Sequence, residues 1–415
     1  MPLSRRSAAD ARPNTIALAR ARLGGAELLD LSDSNPTRHG LSDPAVPEIL
    51  ARATSLAPSY DPDPRGSVHA REALAARFGG EPGDYWLTPG TSTAYGWLFA
   101  LLSDPGDRVA VPRPGYPLVE PLARLAGVET VPYPAYYLHP HGWEYDLDAL
   151  KGVASAGSSA RNRGIRRPYS KFGEGARAVV VVHPNNPTGA YADVSLADAC
   201  AGVPLIVDEV FWPFWLGDER LPIPPRLSGA AGTLTFGLDG VSKLLAAPHL
   251  KLGWIRVSGP PAEAARIAPV LDRVADAYLP VSGPLADALP ELLDLADATV
   301  GRVRGRLLAN LATVNRVFGD APGADATDCG TPRAEDLVGR VRRVDGGWTA
   351  LVDVPLLLPD DDLVVALMGR AGLAVHPGWF YDLDSSGTLA LSLLPRPDAF
   401  ADGCRRLRAA LAALG

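Results

Sequence analysis

The sequence predicts an α/β protein: a large domain on a mostly parallel, mixed sheet flanked by helices, plus a smaller α+β domain. Three observations predict it. From about Trp86 onward, short apolar runs alternate with polar or Gly-rich turns and helical segments, the rhythm of a layered α/β domain. Several runs are apolar at successive positions, as in Ala178-Val179-Val180-Val181-Val182, which suits strands covered on both faces. The length of 415 residues, 47% of them apolar, suits a large domain with a sizeable core and a smaller one beside it.

Taken in order, Thr15 to Leu23 has the spacing of a short amphipathic helix that Gly24 can stop. Leu28 to Leu31 is a short apolar segment. The polar loop Ser32-Asp33-Ser34-Asn35-Pro36-Thr37 follows, with Arg38 and His39 at its end. Tyr60 to Gly66 is a second turn cluster, and Val68 to Phe78 has helical spacing. The strand-like runs are Tyr85-Trp86-Leu87, Val109-Ala110-Val111, Ala178 to Val182, Leu205-Ile206-Val207 and Thr233-Leu234-Thr235-Phe236. Between Lys151 and Gly175 the pattern lapses into Gly, Ser and Arg. This reads as a solvated surface insertion, with a mobile lid or a contact for an acidic partner as the sharper alternative. After the break at Pro280 to Pro284, a long helical pattern runs from Ala286 to Phe318. Trp348 to Val354 and Thr388 to Leu394 read as strands, and Arg405 to Leu414 as a closing helix. The expected division is residues 1–48 as an N-terminal segment joining the small domain, 49–284 as the large domain, and 285–415 as an interdomain helix and small C-terminal domain.

Composition narrows the function. A net charge of -7 leaves no basic footprint and argues against a nucleic-acid partner. Cys200, Cys329 and Cys404 are odd in number, widely spaced and form no CxxC, which argues against a disulfide framework or a metal site. Free thiols suit a reducing cytoplasm. Arg5-Arg6 is not followed by an apolar h-region, and no apolar run approaches membrane-spanning length. A soluble, cytoplasmic protein without a membrane partner is expected.

The basic residues carry the first chemical hint. Of forty, only four are lysines, and two of these, Lys243 and Lys251, fall within Gly240 to Trp254. Arginine stays protonated, whereas a lysine amine in a dry pocket can form a Schiff base with an aldehyde. On this stretch alone, two chance surface lysines explain the observation equally well. The strand ends add more, because ligands of open α/β sheets bind beyond the carboxyl ends of the parallel strands. Tyr85-Trp86-Leu87 leads to Thr88-Pro89-Gly90-Thr91-Ser92-Thr93, a small-residue turn opening a helix and suited to phosphate. Val182 leads to His183-Pro184-Asn185-Asn186-Pro187-Thr188-Gly189, Val207 to Asp208-Glu209, and Phe236, a few residues on, to Ser242-Lys243. Four strands thus deliver a phosphate cradle, an amide, a carboxylate and an amine to one edge.

On Asn185-Asn186-Pro187-Thr188-Gly189, Asp208-Glu209-Val210, and Ser242-Lys243 with Lys251-Leu252-Gly253-Trp254, the chain resembles the fold-type I pyridoxal-phosphate enzymes, in particular the class I/II aminotransferases. The resemblance runs from about Leu28 to the C-terminus. It implies that Lys243 forms the Schiff base with pyridoxal 5'-phosphate and then acts as the acid/base. It implies that Asp208 pairs with the pyridinium nitrogen, that Asn186 bonds the phenolic oxygen and that Tyr116 stacks on the ring. Gly90, Thr91, Ser92 and Lys251 would hold the phosphate end, and Ser242 would be a further cofactor contact. Tyr60 would reach the phosphate of a second subunit, implying a homodimer with shared active sites. The implied reaction moves an amino group from an amino acid or amine to a 2-oxo acid. A lyase, decarboxylase or cyclase of the same fold is the alternative. A cofactor-binding regulator without turnover is a third reading, but such regulators carry a DNA-binding module, for which the short N-terminus and acidic charge leave no room.

Four positions depart from the family's pattern. Gly240 stands where a serine is usual, Lys251 where an arginine is usual, and Phe211 where a tyrosine is usual. Ala390, in Ala390-Leu391-Ser392-Leu393, stands where the family has the arginine that binds the substrate carboxylate. Arg396 and Arg38, the latter in a loop with Asn35, are the candidate replacements; ordinary surface arginines explain both equally. His376-Pro377-Gly378-Trp379-Phe380-Tyr381 resembles the family's pocket-lining loop and suggests a partly apolar site.

Overall fold

The computed structural model describes residues 4, 6–7, 12–25, 27–56, 62–155, 175–200, 202–229, 232–319 and 339–414. Tyr60, Cys329 and residues 156–174 of the expected insertion lie outside them. The strands are β1 (Leu29–Asp30), β2 (Tyr85–Thr88), β3 (Arg108–Arg113), β4 (Glu129–Leu138), β5 (Gly142–Tyr145), β6 (Ala178–Val182), β7 (Leu205–Asp208) and β8 (Thr235–Gly240). They continue as β9 (Gly253–Ser258), β10 (Arg340–Val341), β11 (Thr349–Asp353), β12 (Leu373–Ala374), β13 (His376–Pro377) and β14 (Thr388–Ser392).

Eight strands form a mixed sheet in the order β2-β9-β8-β7-β6-β3-β4-β5. The run from β8 to β4 is parallel; β9 lies antiparallel between β2 and β8, and β5 is an antiparallel edge. Every residue of β6, β7 and β8 is buried. Alternate side chains of β6 explain why. Ala178 and Val180 enter a core with Trp97, Phe99 and Leu271. Val179 and Val181 enter a second core with Leu150, Leu196 and Leu205. The continuous apolar runs are therefore strands with a layer on each face.

A second sheet, ordered β10-β11-β14-β13, is antiparallel. One of its faces packs on the helices Ala296–Phe318, Asp360–Ala371 and Pro397–Ala412 through Val303, Leu307, Val352, Leu367, Leu391 and Phe400. β1 pairs in parallel with β12, Leu29 opposite Leu373, which ties the N-terminal segment to the C-terminal part of the chain. Among the described residues, no helix is long and apolar enough to cross a membrane.

The helical pattern from Ala286 to Phe318 is not one helix. It is split into Gly283–Asp287, Leu289–Asp294 and Ala296–Phe318. Pro290 sits at the start of the middle piece; it has no N–H to continue a preceding turn but fits a first turn well. The helical period survives these restarts, so periodicity alone does not show them.

Candidate active site

The carboxyl ends of the central strands converge as the sequence suggests. At one end of the site, β2 leads through Thr88 and Pro89 into the helix Thr91–Leu102. Its N-cap is Gly90, at φ 114°, and no side chain caps the first turn. Glycine is needed there for its positive φ, and uncapped N–H groups at a helix start are suited to an anion. A Cβ built on Gly90 would lie 3.5 Å from Nζ of Lys251, so the Lys251 ammonium stands over this helix start. Two more glycines allow the close approach beneath it. Gly240 and Gly253 face each other across β8 and β9. A Cβ on Gly240 would meet Leu252 O at 2.8 Å, and one on Gly253 would meet Asp239 O at 2.9 Å and Gly90 Cα at 3.2 Å.

At the other end stands Asp208, the last residue of β7, 4% exposed. Tyr95, one turn into the helix that begins at Gly90, donates to its Oδ2 at 3.2 Å, and the Val210 N–H donates to Oδ1 at 3.2 Å. Burial raises the Asp208 carboxyl to about 6, opposed by those two hydrogen bonds and by Lys243.

Lys243 lies in the short helix Val241–Leu244 that follows β8. Burial pulls its amine below the ordinary lysine value; Lys251 adds to this and Asp208 opposes it. Two aromatic rings face the amine. Nζ is 5.6 Å from the Phe211 ring centroid and 5.4 Å from that of Trp348. The rings pack edge to face, with centroids 5.5 Å apart at 69°. Trp348 comes from the turn into β11, so the smaller sheet completes the surroundings of the lysine.

Under this turn lies a buried ionic network. Glu209 accepts from the N–H groups of Leu227 and Ser228 at 2.8 and 3.2 Å and from Arg226 Nη1 at 3.0 Å. Arg226 Nη2 reaches Asp239 at 2.9 Å, and Asp239 Oδ1 accepts from the Gly240 N–H at 2.7 Å. Of the adjacent acids Asp208 and Glu209, the first faces the site and the second anchors the backbone that carries Lys243.

Asn185 and Asn186 also divide their work. Asn185 Nδ2 donates to Pro114 O at 3.3 Å, and its Oδ1 accepts from Thr188 Oγ1 at 3.0 Å, which locks two turns together. Asn186 is half-buried, and its Oδ1 accepts from Thr349 Oγ1 at 3.5 Å. Tyr116 is half-buried, and its phenol is pushed up to about 12 by burial and by Asp208. Thr91, Ser92 and Ser242 are half-buried near the helix starts.

The remaining candidates lie differently. Asn35 caps its own turn, accepting from Thr37 N at 3.1 Å and from Thr37 Oγ1 at 2.8 Å. The Arg38 side chain is 70% exposed and pairs with Asp33 at 3.4 Å. The Arg396 side chain is 73% exposed and pairs with Asp398 at 3.5 Å. Both guanidinium groups face solvent. Sequence reasoning missed Tyr95 and Trp348. Tyr95 had a signal, being four residues after Thr91 and so on the same helix face; Trp348 had none, because a different sheet delivers it.

A model of the family described as aminotransferase class I and II matches residues 35–319. Alanine aminotransferase of Mycobacterium tuberculosis is 28% identical over 258 residues, 58% of this chain and 54% of that protein. S-alkyl-thiohydroximate lyase of Arabidopsis thaliana is 26% identical over 264 residues, 60% of this chain and 52% of that protein. The chain thus matches about half the length of these curated relatives. The solved structure of an alanine aminotransferase from Pyrococcus furiosus superposes with a TM-score of 0.80 at 19% identity, covering 99% of this chain and 100% of that one; this shows the shared fold.

Proposed function

The chain belongs to the aminotransferase class I and II family, whose members depend on pyridoxal phosphate, and from that premise we propose that it is a pyridoxal-phosphate-dependent aminotransferase. In this reading it moves an amino group from an amino acid or amine to a 2-oxo acid. The observation that carries it is the company Lys243 keeps: a depressed amine between the buried carboxylate of Asp208 and the Lys251 ammonium over a helix start.

The residues fit the cofactor. The uncapped helix start with Lys251 above it suits a phosphate dianion, and the buried acid Asp208 suits a protonated ring nitrogen. When bound, the cofactor supplies an electrophilic aldehyde and an electron sink. Gly90, Thr91, Ser92 and Lys251 would hold the phosphate end, with Ser242 a further cofactor contact. Lys243 would hold the aldehyde carbon; once the donor's amine has displaced it, its freed Nζ would take and return the donor's α-proton. Asp208 would keep the ring nitrogen protonated, Asn186 would bond the phenolic oxygen and Tyr116 would cover one face. Tyr60 would serve the site of a second copy, so a homodimer is part of the proposal, as are the division at residues 48 and 284 and a cytoplasmic location.

Lyase, decarboxylase or cyclase chemistry is the second reading, supported by Ala390 and by the lyase among the relatives. One experiment separates the two. Purified protein loaded with cofactor is mixed with a panel of amino donors, with and without an α-carboxylate, and no acceptor. A transaminase loses its visible imine absorbance and accumulates the pyridoxamine form. A lyase releases product without that accumulation. Protein that binds no added cofactor contradicts both.

A further inference from the structure

Beside the candidate site is a wall that the proposed chemistry leaves unused. Leu351 of β11 lies opposite Ala390 of β14, which lies opposite His376 of β13. Thr349, on the same face of the sheet, reaches Asn186, so this face looks onto the candidate site. The Gly115 N–H donates to Tyr381 O at 3.0 Å, which puts Tyr381 next to Tyr116.

The wall is apolar and closed. Leu351, Tyr381, Leu383 and Ala390 are 2%, 9%, 8% and 2% exposed and form one cluster, with Trp143 packed on it. The buried Nε1 of Trp143 has no hydrogen-bond partner among the described residues, and the Tyr381 hydroxyl meets His376 Nδ1 at 3.3 Å. Burial favours the neutral form of both, lowering His376 and raising Tyr381 to about 12. Arg342 sits against Trp143, 5.2 Å from its ring, but its charge is already matched. Its Nε donates to Asp353 at 2.9 Å, and its Nη2 donates to Ser385 and Thr388 at 3.0 and 3.1 Å. Arg113 pairs with Asp384 at 3.3 Å. A carboxylate set against Ala390 would be a buried charge facing no unpaired cation of this wall, which costs far more than apolar contact returns.

We propose that this wall selects an amino donor with no carboxylate on its reacting carbon, a primary amine bearing an apolar or aromatic substituent. The inference rests on the aminotransferase reading and names its donor class. The donor half-reaction balances without an outside oxidant: the donor's CH2–NH3+ carbon loses two electrons and becomes an aldehyde, the cofactor of the aminotransferase reading takes those electrons together with the nitrogen, and water supplies the aldehyde oxygen.

Two measurements test it. The first needs no turnover: calorimetric binding, to cofactor-free protein, of the reduced adducts phosphopyridoxyl-phenethylamine and phosphopyridoxyl-phenylalanine, which differ only in the carboxylate. The carboxylate-free adduct is expected to bind at least tenfold more tightly, and Ala390→Arg is expected to reverse the order. The second is the half-reaction with free phenethylamine and phenylalanine, where at least a tenfold advantage in kcat/KM goes to the amine. The wild-type comparison decides alone if Ala390→Arg does not fold. Equal or tighter binding of the phenylalanine adduct by the wild type overturns the inference and leaves the aminotransferase reading standing. Failure of both adducts to bind overturns both.

Discussion

Tyr95 donates a hydrogen bond to Asp208 at 3.2 Å, and that bond links the two ends of the candidate site. Tyr95 belongs to the helix whose uncapped start faces Lys251, so one rigid element spans the distance from the anion cradle to the buried acid. The sheet then supplies Lys243 from the next strand end. This arrangement leads to four expectations about single positions.

Asp208→Asn should stabilise the cofactor-free protein while weakening the loaded one. The folded value of about 6 exceeds the ordinary 3.8, so the fold binds this proton more tightly than the unfolded chain does. Stability contributed by the group is present below about pH 4 and is lost as pH rises to about 6. At pH 7 the buried charge costs ~3 kcal/mol. Urea unfolding of both cofactor-free proteins should show no difference near pH 4 and an advantage of ~2–3 kcal/mol for the variant at pH 7. A pH-independent difference would remove the buried-acid account.

Trp348→Leu should lower the pH at which Lys243 gives up its proton. The ring faces of Trp348 and Phe211 favour the ammonium, and each such contact is worth ~0.5–2 kcal/mol. Losing one shifts the titration down by about 0.4–1.5 pH units. Reductive methylation of Lys243 with formaldehyde, followed by peptide mass across pH in cofactor-free protein, reads the shift. Trp348→Phe keeps a ring and should stay near wild type.

Lys251→Ala should weaken pyridoxal phosphate by about 10–100-fold, the worth of one charge-assisted contact. Unphosphorylated pyridoxal should bind the variant as it binds the wild type. A loss shared equally by both ligands would take Lys251 away from the phosphate.

Gly240→Ser restores the residue usual in the family and should nevertheless destabilise this chain by about 1–3 kcal/mol. The new Cβ would lie 2.8 Å from Leu252 O and 2.9 Å from Gly253 Cα, and both are backbone atoms that side-chain rotation cannot move. Chemical denaturation at fixed pH measures the cost. An unchanged midpoint would show that the backbone where β8 pairs with β9 yields easily.

How much was legible beforehand depended on where each signal was written. The strands β6 and β7 announced themselves because burial on both faces leaves unbroken apolar runs. The polar groups at their ends were legible because strand order and strand-end chemistry are local in sequence. The β4 and β5 hairpin was not read, since Pro132, Pro134 and Pro140 disguise it as loop. Trp348 and the wall around Ala390 were not legible as parts of a site, because each depends on a contact between distant segments. The departure at Ala390 was visible in sequence, but its meaning required seeing that Leu351, Tyr381 and Leu383 close around it.

In the proposed site Lys243, and none of the chain's three other lysines, is the amine that holds the cofactor. Borohydride reduction of protein loaded with pyridoxal phosphate, followed by peptide mass mapping, tests it most directly. The phosphopyridoxyl group is expected on Lys243 alone, and none in Lys243→Ala. The same group on Lys251, or an unlabelled Lys243 in protein that binds the cofactor, would contradict it.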